Sequence, residues 1–183
     1  MLIDYNREKL LNAIVFFVKK TNYCGTTKLF KLLYYLDFLH FRETGRSVTG
    51  LDYSALPYGP VPCSLFDELK QMPDDLSDII TVDKPDKFNI IRAKKQFNDL
   101  HFSKRELRIL NDVVYIFKDA RADDMIEASH LPNHPWDKTI KIKGKNQKID
   151  YLLAIDNSPD SLSIEEIQER IKDRKEIEQI FNE

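Results

Sequence analysis

The chain has 183 residues, 28 Lys plus Arg against 30 Asp plus Glu, and a formal net charge of −2. That length suits one domain with at most a short appendage, and a chain of this size buries roughly 70% of its unfolded surface without staples. The charge balance excludes histone-like wrapping of nucleic acid, the 5 Gly exclude collagen-like and low-complexity classes, and two cysteines without a CxxC exclude a disulfide framework or zinc ribbon.

The longest apolar stretches, 13–18 and 29–41, are too short or too interrupted to span a bilayer. The first residues lack the basic-then-apolar pattern of a signal peptide. The expectation is a cytoplasmic protein with no membrane partner.

The first helix is expected from Asp4 or Asn6 onward, with Leu10, Leu11, Ile14, Phe17 and Val18 on one face and Asn22 and Gly25 at its end. Thr26 or Thr27 then caps a second helix to about Thr44, where Gly45 suits a left-handed stop. Apolar residues wrap most of this helix, from Leu29 to Phe41, so it belongs inside the protein as a central rod. Residues 48–56 read as an extended connection or short strand. In Tyr58-Gly-Pro-Val-Pro62, Pro60 forces Gly59 out of the helical region, and Pro62 suits the first turn of a helix over 63–72. Strands at 79–82 and 88–91 make a small antiparallel hairpin.

Ser103 and Glu106 form a capping-box pattern opening a helix that carries Leu107, Leu110, Val113, Val114 and Phe117. Asp123 or Asp124 begins a short helix that stops before Pro132. His134-Pro-Trp136-Asp137 is a turn entering a further helical turn, 138–148 is polar and loop-like, and 151–155 is too short to assign. Ser163 and Glu166 repeat the capping box and start a terminal helix to about Phe181. The predicted fold is mainly α (α+β), a compact multi-helix domain around the apolar rod with a small antiparallel hairpin. Residues 1–158 form the domain, and 159–183 a C-terminal helix that packs on it or contacts a partner.

No sequence pattern supports catalysis. There is no G-x-S-x-G, P-loop or G-x-G-x-x-G, and Cys24 and Cys63 lack the surroundings of a nucleophile. His130 and His134 are four apart, but Pro132 between them breaks a metal-binding helix face, so neither metal nor cofactor is expected. The strip Lys138, Lys141, Lys143, Lys145 and Lys148 has no acidic residue among it and no aromatic platform. It reads as a Lys-rich edge, and direct nucleic-acid binding is not expected. Tyr34, Asp37 and His40 follow at three-residue spacing, which leaves two readings open: a polar cleft in which Asp37 orients His40, or a buried network docking the Tyr53 and Tyr58 segments.

The run Lys28-Leu-Phe-Lys-Leu-Leu-Tyr-Tyr-Leu-Asp37, then His40, Gly45, Tyr53, Ala55 and Tyr58-Gly-Pro-Val-Pro62, resembles the signature of the SocA-like antitoxin family, the Panacea domain. The likeness covers about 5–75 and, more loosely, His134-Pro-Trp136. It implies a mainly helical, non-enzymatic antitoxin that neutralises a cognate toxin, the product of an adjacent gene, by direct contact. In one branch of that family the antitoxin instead hands the toxin to a ClpXP-type protease. An enzyme using the Asp37, His40 and tyrosine set is a third reading. Carried over by position, the signature residues are Lys31, Leu32, Tyr34, Tyr35, Asp37, His40, Tyr53, Tyr58, Gly59, Pro60, Val61, Pro62 and Trp136, and most look like fold-makers. The terminal helix offers a partner-binding stripe of Ile164, Ile167 and Ile171, continued to Phe181 and rimmed by Arg170 and Arg174.

Overall fold

The computed structural model describes residues 5–83 and 89–181, with backbone alone at 174, 175 and 177–181. It is mainly α, with a small β part. Helix α1 (Arg7–Lys20) starts where the Asn6 side chain accepts the Lys9 N–H at 3.0 Å, and its buried stripe is Leu10, Ile14 and Phe17. Helix α2 (Thr26–Thr44) is the rod: twelve of its residues are buried, two lysines and an aspartate among them. Its N-cap is Gly25 rather than a threonine. The backbone crowds that position, since a Cβ on Gly25 would lie 2.5 Å from the Asn89 carbonyl oxygen. Gly45 ends the helix at φ 74°.

After α2 the chain makes a hairpin of β1 (Ser54–Leu56) and β2 (Gly59–Val61), with Ala55 opposite Pro60. The sequence reading ends its extended segment at Leu56 and places no strand at 59–61. The hairpin forms because Pro60 sits where no ladder N–H is demanded of it. The other edge of β1 is covered by residues 146–149: Asn146 and Ile149 donate to Ala55 and Tyr53, and Ala55 donates to Gln147. Helix α3 (Cys63–Gln71) follows with Pro62 at its N-cap, starting where expected and ending one residue earlier. Helix α4 (Asp74–Ile79), also unforeseen, leads into the second hairpin, β3 (Ile80–Asp83) with β4 (Ile90–Ala93). That hairpin is antiparallel as anticipated but shifted toward the C-terminus, and Phe88 lies outside the described residues.

Helix α5 (Lys104–Phe117) opens on the anticipated capping box, Ser103 N–H to Glu106 at 2.7 Å and the reciprocal bond at 3.3 Å. Helix α6 (Ala122–Ser129) precedes α7 (Pro135–Lys143), so the stretch read as a loop from Lys138 is helical for two turns. Its isoleucines misled the pattern: Ile142 is exposed and Ile140 half-buried, leaving almost no apolar face to announce a helix. A 3-10 helix (Tyr151–Ala154) and α8 (Ile164–Phe181) complete the order. α1, α5, α6, β2 and the 3-10 helix all pack on α2, which explains why its apolar residues wrap nearly all round. Among the described residues, no helix is long and apolar enough to cross a membrane.

Candidate functional site

Three charged side chains inside the apolar rod set the local architecture, each by tying a loop to α2. Lys28 and Lys31 are each 1% exposed, and Asp37 is fully buried. Burial of an ion is costly unless hydrogen bonds replace its water, so what these groups touch decides their role.

Lys28 donates to the carbonyls of Asn22, Lys118 and Ala120 at 2.7, 2.9 and 2.6 Å. It thereby fastens the α1–α2 turn to the chain leaving α5, with its three ammonium protons satisfied. Burial lowers its pKa, and Cys24, Asp119 and Asp124 pull it back.

Asp37 accepts four hydrogen bonds: the Val48 and Thr49 N–H groups at 2.8 and 2.7 Å, the Thr49 hydroxyl at 2.5 Å and the Tyr53 phenol at 2.8 Å. Burial pushes its pKa up, and those donors offset part of the rise. The carboxylate thus holds residues 48–53 against α2. Tyr151 secures the same segment from the other side by donating to the Leu51 carbonyl at 2.7 Å. Around them Tyr34, Phe38, Phe41, Tyr53 and Tyr151 form an aromatic cluster, with Phe38 and Tyr151 stacked at 4.3 Å.

His40 takes no part in that network, so of the two readings the one in which Asp37 orients His40 is not seen, and the one in which a buried network docks the Tyr53 segment is. Its Nδ1 lies 2.7 Å from the Arg46 carbonyl oxygen, and burial lowers its pKa. The two residues share a helix side by spacing, but the four hydrogen bonds of Asp37 run to the 48–53 segment. Among the described residues no hydrogen bond joins Asp37 to His40. Tyr58 is also not docked by the network: it projects from the hairpin tip, 72% exposed.

Lys31 is held differently from Lys28. Its Nζ donates to a single carbonyl, that of Pro60, at 2.8 Å, and burial lowers its pKa to about 7. The backbone passes close over it at Gly59, where φ is 97° and a Cβ would lie 2.6 Å from the Ser129 hydroxyl and 2.8 Å from Lys31 Nζ. Gly59→Ala is expected to cost roughly 2–4 kcal/mol, from the positive φ and the clash together. Chemical denaturation checks this, and an unchanged midpoint would refute the close packing. The Trp136 Nε1–H donates to the Leu56 carbonyl of the hairpin at 2.9 Å, and its ring stacks on His130 at 3.8 Å. Lys31 and Trp136 thus grip the hairpin from two elements.

The other signature positions are packing residues. Leu32 is fully buried, Tyr35 stacks on Phe117 at 4.7 Å, Val61 is half-buried and Pro62 stands at the α3 N-cap. On α8, Ile164 is 44% exposed, Ile167 is buried against Gly45 and Ile171 is half-buried. Arg170 donates to the Thr44 carbonyl at 3.0 Å. Ile167 therefore faces the domain, while the side chains of Arg174 and Phe181 lie outside the described residues. Of the Lys-rich strip, Lys138 donates to the Leu153 carbonyl, Lys141 meets Asp137 and Lys148 meets Asp52. Cys24 is buried, which pushes its thiol up to about 11, and Cys63 is exposed. Among the described residues no group of three His, Cys, Asp or Glu side chains could hold a metal ion.

Sequence reading quotes Lys28 only as the start of the family run and gives no role to it, Thr49, Tyr151 or Ser129. Lys28 left a signal, a charge on an all-round apolar helix. The others gave none, because their partners are distant in sequence.

These features define a helical scaffold domain in which buried polar side chains of one rod hold the surrounding loops. A family model described as antitoxin SocA-like, Panacea domain, matches residues 29–137, more than half of the chain, and the chain belongs to that family. The matched span includes every signature residue from Lys31 to Trp136. Neither a curated protein nor a solved structure matches the chain. Membership in an antitoxin family implies a protein partner in general terms.

Proposed function

We propose that this protein is the antitoxin of a toxin–antitoxin pair, and that it neutralises a protein toxin, the product of an adjacent gene, by binding it directly. The observation that carries this reading is the family match across residues 29–137. The physics of the scaffold supports it. Loops fastened by Lys28, Lys31 and Asp37 present their exposed side chains with little left to order, which lowers the entropy cost of forming an interface. Tyr58 at the hairpin tip and Tyr115 on α5 are exposed aromatics of the kind that anchor interfaces.

The test is co-expression with the adjacent reading frame, scoring growth and co-purification together. The expected result is that the neighbour alone arrests growth, and that this chain restores growth while co-eluting with it stoichiometrically. A harmless neighbour with no complex overturns the reading. Rescue accompanied by loss of the neighbour, abolished in a host lacking ClpXP, overturns direct blocking in favour of an adaptor.

A further inference from the structure

A chain whose net charge is −2 gathers five cationic side chains around one cleft. A cleft of about 840 Å³ opens between the first turns of α1 and α5, the end of α2 with the turn after it, and α8. Lys9, Arg46, Lys104, Arg105 and Arg170 line it, against one lining carboxylate, Glu106. That carboxylate is committed: it takes the Lys9 ammonium at 2.5 Å and the Ser103 N–H at 2.7 Å. Glu43, beside the cleft, is bound by Arg108 and lies 3.9 Å from Arg105. Arg46 and Lys104 are exposed and, among the described residues, have no carboxylate partner.

A concave surface lined by one sign of charge focuses its field and draws the opposite sign. Helix α5 leads away from the cleft with a stripe that starts at the lining residue Lys104. Lys104, Arg108, Asn111 and Tyr115 recur at spacings of four, three and four, so they share one face of that helix. Tyr115, 89% exposed, ends the stripe about 16 Å from Lys104 by helix rise. Arg108 is bound by Glu43 and Asp112, so among the described residues the uncommitted cation of the stripe is Lys104. With the exposed Tyr115 beyond it, the face matches a peptide carrying both charge and an apolar side chain.

We infer that this cleft and the α5 face dock an acidic segment of a protein partner, with its carboxylates among Arg46, Lys104 and Arg105 and an apolar residue against Tyr115. That the occupant is a protein rests on the antitoxin reading, whereas its charge rests on the cleft. A nucleic acid fits less well, because five cations gathered at one cleft of an acidic chain do not form the extended basic track a phosphate backbone needs.

The test uses the full chain and a fluorescent peptide rich in Asp and Glu with one Phe, with single-stranded DNA of equal charge as the comparison. At low salt the protein is expected to bind the peptide, and Arg46→Glu with Lys104→Glu to weaken it at least about tenfold at an unchanged melting temperature. The same charge change at Lys143 and Lys145, on and just beyond α7, is expected to leave peptide binding nearly as it was. Should the double reversal unfold the protein, Arg46→Gln with Lys104→Gln gives the same reading with a smaller loss. No peptide binding, equal losses in both variants, or tighter binding of the DNA overturns the inference. The adjacent gene's product separates the two proposals. If it binds the cleft variant as well as the parent, the cleft assignment fails and the antitoxin reading stands. If it does not bind the parent at all, the antitoxin reading fails and the cleft is judged on the peptide.

Discussion

Replacing Asp37 with alanine is expected to destabilise the protein by roughly 4–5 kcal/mol, the largest loss from any single side chain in the rod. The carboxylate is fully buried and satisfies two backbone N–H groups, a threonine hydroxyl and a tyrosine phenol. Its removal leaves four donors without an acceptor where no water replaces it, and each orphaned group costs about 1–3 kcal/mol before relaxation. The sum exceeds the expected loss because residues 48–53 shift together and recover part of it. Against a total stability of about 5–15 kcal/mol, such a loss leaves a substantial unfolded fraction. Asn at this position keeps one acceptor for the two N–H groups and can donate to the two hydroxyls, so Asp37→Asn is expected to lose less than half as much. Urea denaturation of the three proteins measures both. A loss below about 1 kcal/mol for the alanine variant would show that the carboxylate does not hold the segment.

Stability is also expected to rise with pH between 7 and 9, by roughly 2 kcal/mol, because of Lys31. Folding lowers this lysine's pKa from 10.5 to about 7, and burial is the cause. Between those values the unfolded chain keeps the proton and the folded chain releases it. The unfolded state therefore binds more protons, and the slope of unfolding free energy with pH is positive. Below about pH 7 both states are protonated, and the folded protein bears the full cost of an ammonium with one carbonyl acceptor. Lys28, equally hidden but met by three carbonyls, avoids most of that cost. Lys31→Met is expected to flatten the slope, since it removes the titrating group and leaves only the Pro60 carbonyl unpaired. Denaturation midpoints at pH 7, 8 and 9 for both proteins decide it. Parallel slopes would show that Lys31 keeps its proton throughout.

Both predictions concern residues that stand out in the sequence, but what they do was legible to different degrees. Asp37 is a carboxylate among Tyr34, Tyr35 and Phe38, and a buried network was one of two readings open for it. That reading placed the Tyr53 segment on the helix, and Tyr53 does donate to Asp37, but Thr49, twelve residues away, was not legible, and the pairing with His40 that helix spacing suggests is not made. Lys31 belonged to a recognisable motif, but nothing in the motif says that Pro60 and Gly59 lie on its amine. The cationic cleft had no sequence signal at all. Its residues come from four separate stretches, and each alone is an ordinary surface charge.

The sequence by itself determined the local elements whose cause is local. These are the α2 rod with its glycine stop, the two Ser–x–x–Glu caps at Ser103 and Ser163, the second hairpin and membership of the antitoxin family. Periodicity, capping and turn chemistry act over a few residues and can be read there. Only the tertiary structure decided which loop each buried charge holds, that 59–61 pairs as a strand despite its proline, that α7 runs to Lys143, and that Ile167 faces inward. Those outcomes depend on where distant backbone carbonyls and apolar faces arrive. A lysine in an apolar helix is tolerated only when acceptors from other elements reach it, and a helix with little apolar face holds only when its neighbours supply the contacts.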